Sequence, residues 1–123
     1  MKIAALICRI LLGLIFVVFG SNIFFHFLKM PPPTGQAGAF FGALFSSGYI
    51  YIIGALQVVG GLLLLAGRFV PLGLTLLGPV IVNILCFHAF LEPSGLPLAS
   101  VVTVLFFVVF VPHRQAFAGL VKA

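Results

Sequence analysis

Charge is what this sequence has least of. Lys, Arg, Asp and Glu together make up 6% of it, and Glu92 is the only acid. Soluble domains carry about a quarter charged residues, so this chain lacks the side chains to coat a water-facing surface. The single acid also argues against a small proton-coupled multidrug antiporter, which has a similar length and four spans. Such a carrier needs an acid embedded in the membrane to alternate between proton and cation, whereas Glu92 stands beside Pro93 in a turn. Cysteine is scarce too. Cys8 and Cys86 form no C-x-x-C pair, so a thioredoxin-like exchange motif is absent. The formal net charge of +5 comes from six scattered basic residues. No basic stripe interleaved with polar residues exists, so nucleic acid is not an expected partner. A cleaved leader is not expected either: the first apolar segment is long, contains Arg9 and lacks a small-x-small cleavage site.

Apolar length is what the chain has in excess. It has 123 residues, 63% of them hydrophobic, and a mean hydropathy of +1.41. A spanning helix needs roughly 20 apolar residues. Four segments qualify as spans of a single membrane domain, residues 1–123: about 3–28, 49–66, 70–91 and 97–111. The breakers between them have clear chemistry. "KMPPPTGQAG" (29–38) cannot continue a helix, because its prolines lack the N–H and fix φ. "AGRFVPLG" (66–73) and "EPSGLP" (92–97) are turns. A membrane barrel would alternate polar and apolar residues, and "GLLLLAG" and "VVTVLFFVVF" do not. The predicted fold is therefore all-α: a four-helix transmembrane bundle with a short interfacial helix between spans one and two. That short helix is read from "GAFFGALFSSG" (38–48), where Phe40, Phe41, Leu44 and Phe45 recur at helical spacing. It either covers the outer end of the bundle or acts as a lid over a cavity.

Four spans put both termini and the 66–70 turn on one side. Lys2, Arg9, Arg68, Arg114 and Lys122 gather there, with Lys29 and Glu92 opposite. The positive-inside rule then places both termini in the cytoplasm of an inner-membrane protein. Gly13 and Gly20 are seven residues apart, as are Gly54 and Gly61. Seven residues is close to two turns, so each pair shares a face. Spans one and two are expected to pack along these small faces. Cys8 and Cys86 fall near opposite surfaces, farther apart than the ~7 Å Cα limit for a disulfide, so two free thiols are predicted.

The polar groups inside the spans are the candidate site residues. At 1.5 Å per residue, Asn22 and Thr103 lie about 9 Å below the outer ends of their helices, and Gln57 and Asn83 about 12 Å below theirs. Each span thus contributes one hydrogen-bonding group to a similar level, and intramembrane polar groups usually face the bundle interior. Two readings stand open. The four groups clamp the helices together, or they form a small pocket for the head of an amphiphile such as a quinone. Pro79, one turn before Asn83, is expected to kink span three, and the carbonyl it frees is open to a ligand in the second reading. His88 and Glu92 share a face, and His26 ends span one on the same outer side. With Lys29 they suggest an outer cluster, an interfacial hydrogen-bonded set rather than a metal site; haem ligation through the two histidines is disfavoured. Asn22 and His26, one turn apart, make span one the bridge between layer and cluster. Arg9 has no acid in its half of the membrane. It either snorkels to the headgroups or takes a backbone carbonyl, a lipid phosphate or an anionic substrate as partner.

Two stretches resemble the DoxX family of small membrane proteins: "RILLGLIFVVFGSN" (9–22) and residues 47–97, which contain "GGLLLL", "GRF-PLG", "P-IVNI" and "FH". The resemblance covers essentially the whole chain and implies a four-helix membrane protein. The family's name comes from a subunit of a quinone-linked sulfur-oxidising enzyme, and related four-span proteins include receptor-assembly chaperones. It carries over Arg9, Asn22, Gln57, Asn83 and His88, none an established catalytic group. Many members have Glu where this chain has Gln57. Losing that acid removes a proton carrier and leaves neutral hydrogen bonding. The resemblance implies an accessory subunit of a quinone-linked membrane redox system. The alternative is an assembly factor or scaffold without catalytic activity. The partners expected are the bilayer, other membrane proteins or a redox complex, and further copies of this chain.

Overall fold

A computed structural model describes residues 2–28 and 32–122. Among them are five α-helices and no strand: α1 (Lys2–Phe25), α2 (Gly35–Ser47), α3 (Tyr49–Ala66), α4 (Val70–Phe90) and α5 (Leu96–Phe110). A 3-10 turn, Pro93–Gly95, precedes α5, and a 3-10 segment, Val111–Val121, follows it. Four helical stretches are long and apolar enough to cross a membrane. They form an all-α bundle in which each span packs on two others, in the cyclic order α1, α3, α4, α5. Lys29, expected in the outer cluster, lies outside the described residues.

The helix ends follow from glycine and proline. α3 stops at Gly67, whose φ of +69 is open to glycine at no steric cost. Its N–H caps the carbonyls of Leu63 and Leu64 at 3.0 and 3.2 Å. α4 restarts at once with Pro71 in its first turn, where the missing N–H would have no partner anyway. Pro93 and Pro97 do the same for the two helical pieces after α4. Such short turns force antiparallel neighbours.

The α1–α3 pairing is the most extensive in the bundle, and the glycines explain it. A Cβ added to Gly61 would come within 2.8 Å of the Gly13 carbonyl oxygen and 3.0 Å of the Val17 nitrogen. One added to Gly20 would meet the Gln57 Cβ at 2.9 Å and the Gly54 carbonyl at 3.1 Å. The two predicted glycine faces are thus apposed, backbone against backbone. Gly60 performs the same service for α4, where a Cβ would meet Leu77 at 2.7 Å. Leu12, Phe16, Leu64, Leu74, Leu77 and Val102 fill the centre. Leu62, Leu72, Val82, Val101 and Phe107 are exposed on the outside, where acyl chains are as apolar a medium as the core.

α2 packs at the end of the bundle opposite the termini. Its Phe40 and Phe41 rings sit 5.6 and 5.0 Å from Phe87 of α4, Ala37 is buried, and α2 also packs on α3. At the other end, the segment after α5 returns Phe117 to the partly buried rim of the core, its ring 5.2 Å from that of Phe110.

Candidate functional site

Two of the four predicted layer residues are inside. Asn22 and Gln57 are both buried at 8% exposure. Gln57 faces α1 at Gly20. Asn22 has a local task. α1 ends by turning His26 into the left-handed region, φ +53, and the His26 N–H donates to the Asn22 carbonyl at 2.8 Å. The chain then reverses, and the Leu28 N–H donates to Asn22 Oδ1 at 2.7 Å. A backbone N–H at the edge of hydrocarbon has no water to turn to, so Asn22 caps the exit from the first span.

The other two members of the layer correct the expectation. Asn83 is exposed, and its Nδ2 donates to the Pro79 carbonyl 3.1 Å away on the same helix. Thr103 is part-buried, and its hydroxyl donates to the Ala99 carbonyl at 2.8 Å. Each donates to the carbonyl one turn back on its own helix, a bond Thr and Asn make readily, and among the described residues neither bonds across to another span. The rotation of α4 decides the matter. Its buried residues are Val70, Gly73, Leu74, Leu77, Val80 and Ile81. Asn83 is nine residues past Leu74, about 180° around the helix. The four groups therefore do not form one inward-facing layer.

Asn83 instead belongs to an outward stripe of α4 with Thr75, Pro79 and Cys86, all exposed. Proline has no N–H to donate, so Pro79 leaves the Thr75 carbonyl without its helical partner. The Thr75 hydroxyl does not compensate, since it donates to the Pro71 carbonyl at 2.8 Å. This face thus offers a carbonyl and an amide to whatever lies alongside. Sequence reasoning assigned Asn83 a depth and missed its direction; Thr75 it missed altogether. Pro79 and Asn83 at spacing i, i+4 were the signal for an exposed stripe, but only once the buried face of α4 was known.

The two outer histidines are held apart. His26 packs its ring 6.1 Å from Phe45. From there the rings of Phe41 and Phe87 lead on to His88, with centroid spacings of 6.2, 5.0 and 5.1 Å. Three phenyl groups thus connect the two imidazoles in a run of ring contacts. His88 Nδ1 lies 2.9 Å from the carbonyl oxygen of Glu92. A carbonyl can only accept, so Nδ1 carries the proton and donates. The Glu92 carboxylate takes its bond from the Ser94 hydroxyl, 2.9 Å away. His88 and Glu92 meet as predicted, but through the backbone, and they close the α4–α5 turn. Among the described residues no three His, Cys, Asp or Glu side chains come together as a metal site would require. Cys8 and Cys86 are both free.

Arg9 reaches the α3–α4 turn. A Cβ on Gly67 would meet its Nη1 at 2.7 Å and its Cζ at 3.0 Å, so the guanidinium lies against bare backbone at the helix end. Side chains on a helix lean toward its N-terminus, and here that lean carries the charge to the end of the bundle. The Nε is buried and has no hydrogen-bond partner among the described residues. Beside it, Lys2, His113 and Arg114 line a cavity. Lys2, Arg9 and Arg114 read in the sequence only as topology signals and His113 carried no signal there; their convergence depends on the packing of α5 against α1.

A bundle of four apolar spans, with a short helix packed at the end opposite the termini, defines an integral membrane protein that crosses the bilayer several times. The sequence model of the DoxX family matches residues 4–89, well over half of the chain and all of α2 and α3. The chain belongs to the DoxX family. No curated protein and no solved structure matches it significantly.

Proposed function

We propose that this protein is an accessory subunit of a membrane redox complex and works through its outer helix faces. The observation that carries this reading is the α4 stripe. Asn83 faces away from the core with only its own helix as partner, beside the Thr75 carbonyl that Pro79 leaves free. Polar groups turned toward acyl chains are costly, and those kept in membrane helices usually meet another polar group. The partner is a transmembrane helix of another protein that donates to the carbonyl and pairs with the amide. The redox assignment rests on family membership, and quinone enters as the carrier that the partner uses.

The interior supports the same reading. Large aliphatic and aromatic side chains fill it, and of its two buried amides Asn22 is committed to a helix end. Orientation follows the charge: both termini lie on the cytoplasmic side of the inner membrane, since five of the six basic residues gather at the end shared by the start of α1, the α3–α4 turn and the segment after α5.

Cys86 lies on the stripe and serves as a native cross-linking point. In native membranes it is expected to capture a second, redox-active membrane protein. Asn83→Leu should abolish the adduct while the purified variant unfolds at an unchanged temperature. Quinone reduction by membranes lacking the chain should fall. An adduct with a partner that carries no redox group would transfer the proposal to the assembly-factor alternative. Capture of nothing but a second copy through Cys86 would refute both.

A further inference from the structure

Where α1 starts and α5 ends, the chain lines an open cavity of about 370 Å³. Every charged or titratable side chain in its lining is basic: Lys2, Arg9, His113 and Arg114. Leu6 and Val109 belong to its apolar wall. No acidic side chain balances these groups, because the only one, Glu92, follows α4 at the opposite end of the bundle. Three permanent cations in one concavity repel each other unless an anion joins them. Arg9 is the member held most firmly. Its guanidinium lies on Gly67, and its buried Nε lacks an acceptor among the described residues. An unsatisfied N–H on a charged group costs more than a neutral one, and a guanidinium fork matches the oxygens of a phosphate.

We infer that this cavity binds a phosphoryl oxyanion, held by Arg9 at its base and by Lys2 and Arg114 at its rim. The source that fits the walls is an anionic phospholipid. Leu6 is exposed on the outer face of α1 and Val111 just beyond α5, so the cavity opens beside the acyl chains, and a headgroup seated on Arg9 can leave its tails in the bilayer. The site lies at the end opposite α2 and does not depend on the α4 stripe.

The test uses the full chain purified in a neutral detergent. Phosphatidylglycerol, phosphatidic acid or phosphatidylcholine is added, and retained lipid is read by native mass spectrometry alongside the unfolding temperature. The two anionic lipids should be retained one per chain, with a preference of at least about tenfold over phosphatidylcholine, and should raise the unfolding temperature. Arg9→Gln should abolish the preference. Arg9→Lys should restore it only in part, because an ammonium lacks the Nε and the fork. If Arg9→Gln does not fold, the double variant Lys2→Gln/Arg114→Gln, confined to the rim, should still weaken retention. Inorganic phosphate that stabilises the protein as strongly as the lipids would keep the oxyanion site and make the free ion its source. Chloride giving the same stabilisation at equal ionic strength would overturn the proposal. So would equal retention of all three lipids, or an Arg9→Gln variant that keeps the preference.

Discussion

Asn22 and Thr103 both carry a hydrogen-bonding group into hydrocarbon, and they use it differently. Thr103 returns its proton to the Ala99 carbonyl, one turn back on its own helix. Asn22 supplies the acceptor for a backbone N–H beyond the helix end. Removing them should therefore have unequal consequences. Thr103→Val keeps the shape and should change stability by no more than about 0.6 kcal/mol. Asn22→Leu orphans the Leu28 N–H and should destabilise by about 1–3 kcal/mol. Thermal or denaturant unfolding in detergent separates the two. The residue types were readable from the sequence, as was their restriction to the spans. Their partners were not, because an amide in a greasy helix can bond back along its own helix or across to another, and depth alone does not choose.

At the scale of the helix, glycine is where identity and packing meet. Gly61 touches α1 through backbone atoms that cannot rotate away. Gly61→Ala should push α1 and α3 apart and destabilise by about 1–3 kcal/mol, the usual range for overpacking. Gly42, in the middle of α2, has only open space within 4 Å of where a Cβ would stand. Gly42→Ala should stabilise α2 by about 0.5–1 kcal/mol through reduced backbone entropy. Opposite signs from the same chemical change, measured as shifts in unfolding temperature, would confirm that spacing of seven marks a contact face and G-x-x-x-G in "GAFFG" does not. The boundaries of the helices are just as local in origin: Gly48, Gly67, Pro71, Pro93 and Pro97 stand at starts and stops whatever the tertiary structure.

For the molecule as a whole, the asymmetry of charge is the governing feature. It sets the proposed orientation and, once the helices pack, assembles the basic cavity. Orientation can be checked with Cys8 and Cys86 replaced by Ala. A cysteine at Ser94, in the exposed α4–α5 turn, should react with a membrane-impermeant thiol reagent in intact cells. A cysteine at Gln115, exposed in the segment after α5, should react only after permeabilisation. The reverse pattern would invert the topology.

Composition and periodicity by themselves determined that this chain has four helical stretches long and apolar enough to cross a membrane, that Gly and Pro separate them, and which two spans meet along glycine. Those properties depend on the cost of bare backbone in hydrocarbon and on the shape of Gly and Pro, both local. Only the tertiary structure decided which way each helix turns. In water a polar face and an apolar face announce the rotation of a helix; in a bilayer, lipid and core are equally apolar, so α4 reads the same on every side. Packing of Gly73 and Leu77 against α3 turned Asn83 outward, and the approach of α5 to α1 drew Arg9, His113 and Arg114 around one cavity.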